Sequence, residues 1–340
     1  MDTIRVGIVG AGRNTTAIHI PKLQAIDGVE IVSVANRSRE SSQHVAEQFG
    51  IPTVYDRWQE LVTAPDTDAI VIGTWPYLHC QATLAALQAG KHVLCEARMA
   101  MNAQEARAMR DAARAHPQLV AQIVPAPHTL SVDTTVQRLL SEQYIGEPLA
   151  VAIRDGNSFL NREAPLHWRQ DMDLSGYNIL SLGIWYEVLL RWLGEATRVL
   201  AMGRVFVKQR RDDRGIMRAV RVPEHINVIA DLACGAQAHF QISAVTGHAG
   251  PAAITVFGSE GTLQFVDGAL FGGRRDEPGL AKLTIPDEER GAWRVEAEFI
   301  GAIRGQEQIA LTPFETGVKY MIFTEAVTHS IATGAAIPLL

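Results

Sequence analysis

The chain has 340 residues, 47% of them apolar and 20% charged, with a formal net charge of −6, which allows two domains with cores of their own. The acidic balance, with a pI near 6.0, argues against a nucleic-acid partner. Cys80, Cys95 and Cys234 show no metal spacing and cannot build a disulfide framework, so they read as small buried filler in a protein of a reducing cytoplasm.

Asp2 begins a terminus without the charged-then-apolar pattern of a signal segment. The longest apolar stretch, Ile179 to Leu193, contains Glu187 and Arg191 and is too short and too charged to span a bilayer. No membrane partner and no metal site are expected.

Ile4, Val6, Ile8 and Val9, with Gly7 among them, suit a buried parallel strand. Gly10 and Gly12 follow, then Arg13, Asn14 and a helical pattern. A glycine turn between a strand and a helix N-terminus lets backbone N–H groups meet a pyrophosphate. The same residues also suit a tight turn with no ligand. Thr15 stands where the third glycine of the dinucleotide fingerprint would be, so it should widen the helix–strand packing or bond the phosphate itself. Val29 to Ala35 is a second strand, ending in Asn36-Arg37-Ser38-Arg39. The end of this strand meets the adenosine ribose in a dinucleotide fold, where an acid would bond the 2′-hydroxyl. Here the acid is missing, and Arg37 and Ser38 suit a phosphate dianion. The expected cofactor is therefore NADP, with NAD possible; a solvated basic loop is the alternative.

The β–α alternation continues. A helix runs from Glu40 to Phe49, ending at Gly50. The strand Ala69 to Gly73 leads into Thr74-Trp75-Pro76-Tyr77-Leu78-His79, with a helix from His79 to Gly90. The strand Val93 to Cys95 opens on Glu96-Ala97-Arg98, and its carboxyl end should face the cofactor crevice. The helix Ala103 to Ala115 and the strand Leu119 to Val124 complete the domain before Pro125-Ala126-Pro127.

Several segments together resemble the Gfo/Idh/MocA oxidoreductases. They are Gly10-Ala11-Gly12 with His19-Ile20-Pro21, Thr74-x-Pro76-x-x-His79, Ala89 to Glu96, Ile145-Gly146-Glu147, Trp168-Arg169, Leu182-Gly183-Ile184 and Gly258 to Leu263. They keep family order over nearly the whole chain. The resemblance implies an α/β protein with a Rossmann dinucleotide-binding domain over 1–124. A substrate-binding and oligomerisation α/β domain over 125–340 would carry a large, mostly antiparallel sheet. It further implies a carbohydrate-like small-molecule substrate and a homodimer or homotetramer, with one sheet face as the subunit interface. Gly10, Gly12, Arg13, Asn14, Thr15, Asn36, Arg37, Ser38, Thr74, Trp75, Pro76, His79, Glu96 and Ala97 are the expected cofactor residues.

The sequence departs from the family where its chemistry resides. The lysine of the family's Glu-Lys-Pro motif is Ala97 here, and the proline is Arg98. The acid and histidine of the Asp-x-Gly-x-His motif are Ser181 and Trp185. Ala97 has no proton to move, Trp185 offers only an N–H donor, and arginine does not act as a base. Losing a positioned acid–base group costs roughly 10²–10⁴-fold in rate.

In the second domain, Ala150 to Asp155 alternates as a strand, and Gly156 to Asp173 is a polar loop. A helix is expected over Tyr177 to Leu193, with its first turns facing the nicotinamide by family analogy. Tyr177, Ser181 and Trp185 would then face the pocket, with Asn178 nearby. Trp185 either fills the histidine's space or stacks on a substrate ring. Strands are expected over Val199 to Val207, Ile226 to Leu232, Ala236 to Val245, Ile254 to Phe257 and Thr262 to Phe265. Helices are expected over Trp293 to Arg304 and from Thr312-Pro313-Phe314-Glu315, a capping box, to Gly334.

The replacement acid–base candidates are Tyr177, His128 and His167, with Tyr186 and Glu187 behind them. Tyr177 follows Gly176, and the two histidines titrate near neutral pH. Arg98, Arg169, Trp168, Asn178, Ser181 and Trp185 are the substrate candidates. The favoured reading is an NADP-preferring oxidoreductase of a sugar, polyol or cyclic alcohol or ketone. The alternatives are a catalytically degenerate sensing protein and a lyase or hydrolase using the same pocket.

Overall fold

The computed structural model describes residues 3–339; Asp2 lies outside them. The chain forms two compact units. One comprises the residues through Pro125 together with Arg294–Val318, and the other comprises Ala126–Trp293 with Lys319 onward. A division into 1–124 and 125–340 leaves Arg294–Val318 in the second domain. In the structure this segment belongs with the first, because its helix Val295–Ile303 buries Glu296 and Glu298 against first-unit partners. Glu298 accepts from Gln122 Nε2 at 2.5 Å, and Arg304 donates to the Asp27 carbonyl at 2.6 Å.

The first unit holds a six-stranded parallel sheet of β1 (Ile4–Val9), β2 (Val29–Ala35), β3 (Thr53–Val54), β4 (Ala69–Ile72), β5 (His92–Cys95) and β6 (Ala121–Ile123), in the order β3-β2-β1-β4-β5-β6. This is the doubly wound Rossmann order, whose ligands meet the carboxyl ends of the strands where the order reverses. All four residues of β4 are buried, which is why the strand reads as an unbroken apolar run. The helix Arg39–Phe49 begins at Ser38, whose hydroxyl accepts from Ser41 N–H, and stops at Gly50 in the left-handed region at φ 68°. The helix expected from His79 starts three residues earlier, at Pro76, because proline is preorganised for the first helical position.

The second unit is built on β7 (Pro148–Asp155), β8 (Ala196–Arg204), β9 (Gln209–Arg211), β10 (Met217–Ala219), β11 (His225–Leu232), β12 (Gln237–Ser243), β13 (Ala253–Gly258), β14 (Gly261–Val266), β15 (Ala269–Arg274), β16 (Ala281–Lys282) and β17 (Ile337–Pro338). β9 and β10 form a separate hairpin. The others make a nine-stranded sheet, β16-β15-β14-β13-β7-β12-β11-β8-β17. Its pairs are antiparallel except β7 with β12. Ile226, Val228 and Ala230 of β11 and Ala238, Phe240 and Ile242 of β12 point to the buried face, the period-two pattern of a half-buried strand. The helices Leu182–Leu193 and Phe314–Thr333 meet over this face: the Tyr186 ring stacks on Phe323 at 3.7 Å, and Phe323 reaches Phe240 at 5.4 Å.

The helix expected over Tyr177 to Leu193 is a correction: it begins at Leu182. Leu180 has φ 45°, and Gly176 has φ 62°. Asn178 Nδ2 donates to the Ser175 carbonyl at 2.7 Å, so local side-chain bonding closes a turn where the apolar periodicity promised helix. Cys80 and Cys95 are buried as filler, but Cys234 is exposed. No helix among the described residues is long and apolar enough to cross a membrane.

Candidate functional site

The candidate residues fall on both units. In the first unit they cluster at the carboxyl ends of the parallel strands. Gly10 has φ 84° and lies so close to β4 that a Cβ would collide with the Thr74 side chain and press on its backbone N at 2.9 Å. Gly12, Arg13 and Asn14 are exposed. The backbone N–H groups of Gly12 and Arg13 have no acceptor among the described residues, as at an open helix N-terminus. This cradle fits a pyrophosphate.

Thr15 neither opens outward nor splays the packing. It is buried, its hydroxyl donates to the Gly10 carbonyl at 3.4 Å, and its side chain occupies the space that Gly73 leaves for want of a Cβ. The chain here takes a π-helical turn, Thr15–His19, which passes into the helix Ile20–Gln24 with Pro21 in its first turn. At the end of β2, Asn36 Oδ1 accepts the Ala11 N–H at 2.6 Å and its Nδ2 donates to Ser41. Asn36 thus ties the glycine turn to β2. Arg37 and Ser38 are exposed beside it, and Arg39 pairs with Asp56 at 2.8 Å.

His79 is fully buried, with Nε2 2.9 Å from the Thr74 carbonyl and Nδ1 3.0 Å from the Arg98 carbonyl. Burial holds its pKa below the ordinary imidazole value; the neutral ring has one N–H to donate and sits between the segments that follow β4 and β5. Pro76 and Arg98 are buried; Trp75 and Ala97 are half-buried.

Glu96 joins a charged cluster that the sequence reading did not assemble. His19, with no exposed surface, sits between two carboxylates: Nδ1 is 2.6 Å from Glu296 Oε1 and Nε2 is 3.0 Å from Glu96 Oε1. Asn14 Nδ2 also donates to Glu96 Oε1, and the Ala97 N–H donates to Glu96 Oε2 at 3.1 Å. Burial alone would lower the His19 pKa, but the bonds to Glu296 and Glu96 outweigh it and raise it to about 9. Burial opposes ionisation of Glu96, and the His19 bond and charge lower its pKa nonetheless. Glu96 is thereby a fixed anion next to the glycine turn. A histidine immediately before an Ile-Pro pair on an apolar helix was the available signal; its partner Glu296 gives none locally.

In the second unit, Ser181 and Trp185 converge on a residue absent from the candidate set. Asp155, the last residue of β7, accepts from Ser181 Oγ at 2.5 Å and from Trp185 Nε1 at 2.8 Å, both on Oδ2. Trp185 is 1% exposed, so it fills space. The His128 ring stacks on it at 5.0 Å and 27°. His128 is exposed, and its ring nitrogens make no hydrogen bond among the described residues. Burial of part of the ring lowers its pKa, the Asp155 charge raises it, Arg191 lowers it, and the net direction is down.

The other candidates make contacts of their own. His167 Nδ1 accepts from Arg169 N–H at 3.3 Å, and its own N–H donates to Gln170 Oε1, closing a capping box on the turn Trp168–Gln170. The Arg169 guanidinium lies over the Trp168 ring at 4.2 Å. Tyr177 meets His329 edge-on at 5.8 Å. Asn178 is buried. Tyr186 accepts the Ala196 N–H on its hydroxyl at 2.9 Å. Glu187 accepts from Ala126 N–H and pairs with Arg191, both at 2.9 Å. No group of three or more metal-ligating side chains occurs among the described residues.

Residues 4–123 match a family model described as the GFO_IDH_MocA oxidoreductase family, NAD-binding Rossmann fold. Residues 134–264 match the C-terminal domain model of the same family. An inositol 2-dehydrogenase/D-chiro-inositol 3-dehydrogenase of Shouchella clausii is 31% identical over 151 residues, 44% of this chain and 43% of that protein. A 1,5-anhydro-D-fructose reductase of Ensifer adhaerens is 34% identical over 152 residues, 44% of each. The chain thus matches less than half the length of these curated relatives. A levoglucosan dehydrogenase in complex with NADH and L-sorbose has TM-score 0.88 to this chain, covering 99% of both at 20% identity, which establishes a shared fold.

Proposed function

This chain belongs to the Gfo/Idh/MocA oxidoreductase family, and from that premise we propose that it is an NAD(P)-dependent oxidoreductase of a sugar, polyol or cyclic alcohol or of the matching ketone. The observation that carries the reading is the open glycine turn after β1, where Gly10 allows close backbone approach and the Gly12 and Arg13 N–H groups have no protein acceptor. The relatives act on inositol and anhydrofructose, as their names state, and the same chemical class is proposed here.

NADP is the preferred cofactor in this proposal. Asn36 is occupied by the Ala11 N–H and by Ser41, and no acid stands at the end of β2 to repel a 2′-phosphate. Arg37 and Ser38 supply the charge and the hydroxyl. The bound dinucleotide supplies hydride transfer. Gly12 and Arg13 would hold its pyrophosphate, and Glu96, kept anionic by His19 and bonded by Asn14, would offer it a hydrogen-bond acceptor beside the glycine turn. Ala97 moves no proton, so proton transfer passes to another group. His128 is the candidate assigned to it, because its ring nitrogens are uncommitted and burial pushes its pKa down, favouring the neutral imidazole. His167 and Tyr177 rank below it.

Fluorescence titration with NADPH and with NADH tests the reading. Tighter binding of NADPH is expected, followed by turnover of a polyol or keto-sugar that His128→Ala slows about a hundredfold or more without changing cofactor affinity. Binding of neither dinucleotide would reject the reading in favour of a sensing or non-redox protein.

A homodimer or homotetramer is proposed as well. Leu200, Met202, Ile229 and Phe257 are exposed on one face of the nine-stranded sheet, an apolar patch of the kind that subunit interfaces cover.

A further inference from the structure

Asp155 has a second carboxylate oxygen that the proton-transfer reading leaves unused. Oδ2 is saturated by Ser181 Oγ and Trp185 Nε1, whereas Oδ1 accepts no hydrogen bond among the described residues, and the side chain is half-buried. The two donors stand where the family keeps its acid and its histidine. Both replaced positions therefore point back to a carboxylate brought in from the end of β7. The imidazole is brought in from His128, which lies on the face of the very ring at position 185. Acid and imidazole are both present again, on different elements. The carboxylate is fixed by two donors, one an indole N–H that is itself 1% exposed.

We propose that Asp155 Oδ1 and the His128 imidazole form a two-point site for adjacent hydroxyls of a cyclic polyol, His128 receiving the proton of the hydroxyl that is oxidised and Asp155 accepting a hydrogen bond from its neighbour. This rests on the oxidoreductase reading above. The balance is simple. The C–H bond of the carbinol breaks with its electron pair going to the oxidised nicotinamide dinucleotide. The O–H proton goes to His128, and the C–O bond becomes a carbonyl. Asp155 exchanges no proton. The carboxylate accepts two hydrogen bonds on Oδ2 and keeps Oδ1 as a charge-assisted acceptor for the neighbouring hydroxyl. The site thus separates binding of one hydroxyl from deprotonation of the other, and it selects vicinal diols over single alcohols. A half-buried charged acceptor left without its hydroxyl penalises the analogue that lacks it.

The test is calorimetric titration of the full chain, wild type and Asp155→Asn, with myo-inositol, with trans-1,2-cyclohexanediol and with cyclohexanol, each with and without saturating NADP⁺. The amide keeps an oxygen for Ser181 and Trp185 but replaces the second acceptor with a donor. Wild type should bind the diol at least about tenfold more tightly than the alcohol. Asp155→Asn should weaken the diol by about the same factor and leave the alcohol unchanged, with equal NADPH affinity in both proteins. In turnover the KM for the polyol should rise more than kcat falls. If Asp155→Asn melts far below wild type, Asp155→Glu, which moves the acceptor by one methylene, carries the same expectation. Equal discrimination in wild type and variant would overturn the two-point site, and so would a wild type that binds none of the probes with or without cofactor. Discrimination that persists in a protein unable to bind either dinucleotide would instead remove the oxidoreductase reading and leave the site standing.

Discussion

His19 makes the stability of the first unit depend on pH. Its folded pKa of about 9 lies above the ordinary imidazole value, because two carboxylates hold the imidazolium more firmly than burial disfavours it. A raised folded pKa contributes stability that is fully present below about pH 6.5 and is lost as pH rises through about 9. Thermal melting between pH 6 and 10 should show a declining Tm across that window, and His19→Gln should flatten it. A wild-type profile as flat as the variant's would remove the charged pair. His19→Gln should also cost about 3 kcal/mol or more at pH 6, since it leaves Glu96 and Glu296 uncompensated.

Gly73 offers a second test at the same scale. A methyl there would run into Thr15 Oγ1 and the Gly10 carbonyl, so Gly73→Ala should destabilise by roughly 1–3 kcal/mol and weaken dinucleotide binding. Adding Thr15→Ala should recover only part of the stability, because the backbone carbonyl remains; full recovery in denaturant titrations would locate the whole clash on Thr15. The missing third glycine was visible in the sequence, but its compensation was not. Gly73 lies 58 positions away along the chain from Thr15 and meets it only through the pairing of β1 with β4. Asp155 escaped notice for the same reason: a strand-end aspartate has no local signature, and only the fold delivers Ser181 and Trp185 to it.

The elements themselves were legible where one physical rule decided them. β1, β2 and the helix Ala103–Ala115 lie where apolar runs, glycines and the Asn102 cap put them. The helix after Ser181 was not, because Ile179 and Leu180 continue the apolar pattern while Leu180 adopts φ 45°. The short strands β3, β16 and β17, of two residues each, are too brief to show any periodicity. The helix Asp133–Ser141 is held by a network rather than by its pattern alone. Arg191, on the helix Leu182–Leu193, bonds Glu187 at 2.9 Å, Asp133 at 2.8 Å, the Ala126 carbonyl at 3.1 Å and Thr129 Oγ1 at 3.2 Å. Asp133 also accepts from Trp192 Nε1 at 2.7 Å. One guanidinium therefore joins two helices and the chain segment that leads to His128. Arg191→Leu should cost about 3–5 kcal/mol by denaturant unfolding, since it strands two poorly hydrated carboxylates. Glu187→Gln should cost less, because the amide oxygen still accepts the Ala126 N–H. A loss below about 1 kcal/mol for Arg191→Leu would mean that these elements are held by apolar packing alone.

For the molecule as a whole, the return of Arg294–Val318 to the first unit left no mark in the sequence. Nothing in Glu296 or Glu298 announces that each will be buried against first-unit residues nearly 180 or more positions earlier. Leu200 of β8 is paired with Ile229 of β11, and Ile229 with His239 of β12, so the row continues across the sheet with Met202 and Phe257 on the same side. Met202 is 73% exposed and Ile229 45%. A monomer seldom leaves such a row to water, and a second copy of the sheet would cover it by face-to-face packing about 10 Å apart. Met202→Asp with Ile229→Asp places charges in the middle of that contact without touching β7, Asp155 or the glycine turn. In sedimentation experiments wild type should run as a dimer or tetramer and the double variant as a smaller species, the dissociation constant rising at least about a hundredfold. NADPH affinity should be unchanged, because the cradle at Gly10 and Gly12 lies wholly within the first unit. An oligomer of undiminished mass would exclude this face as the contact.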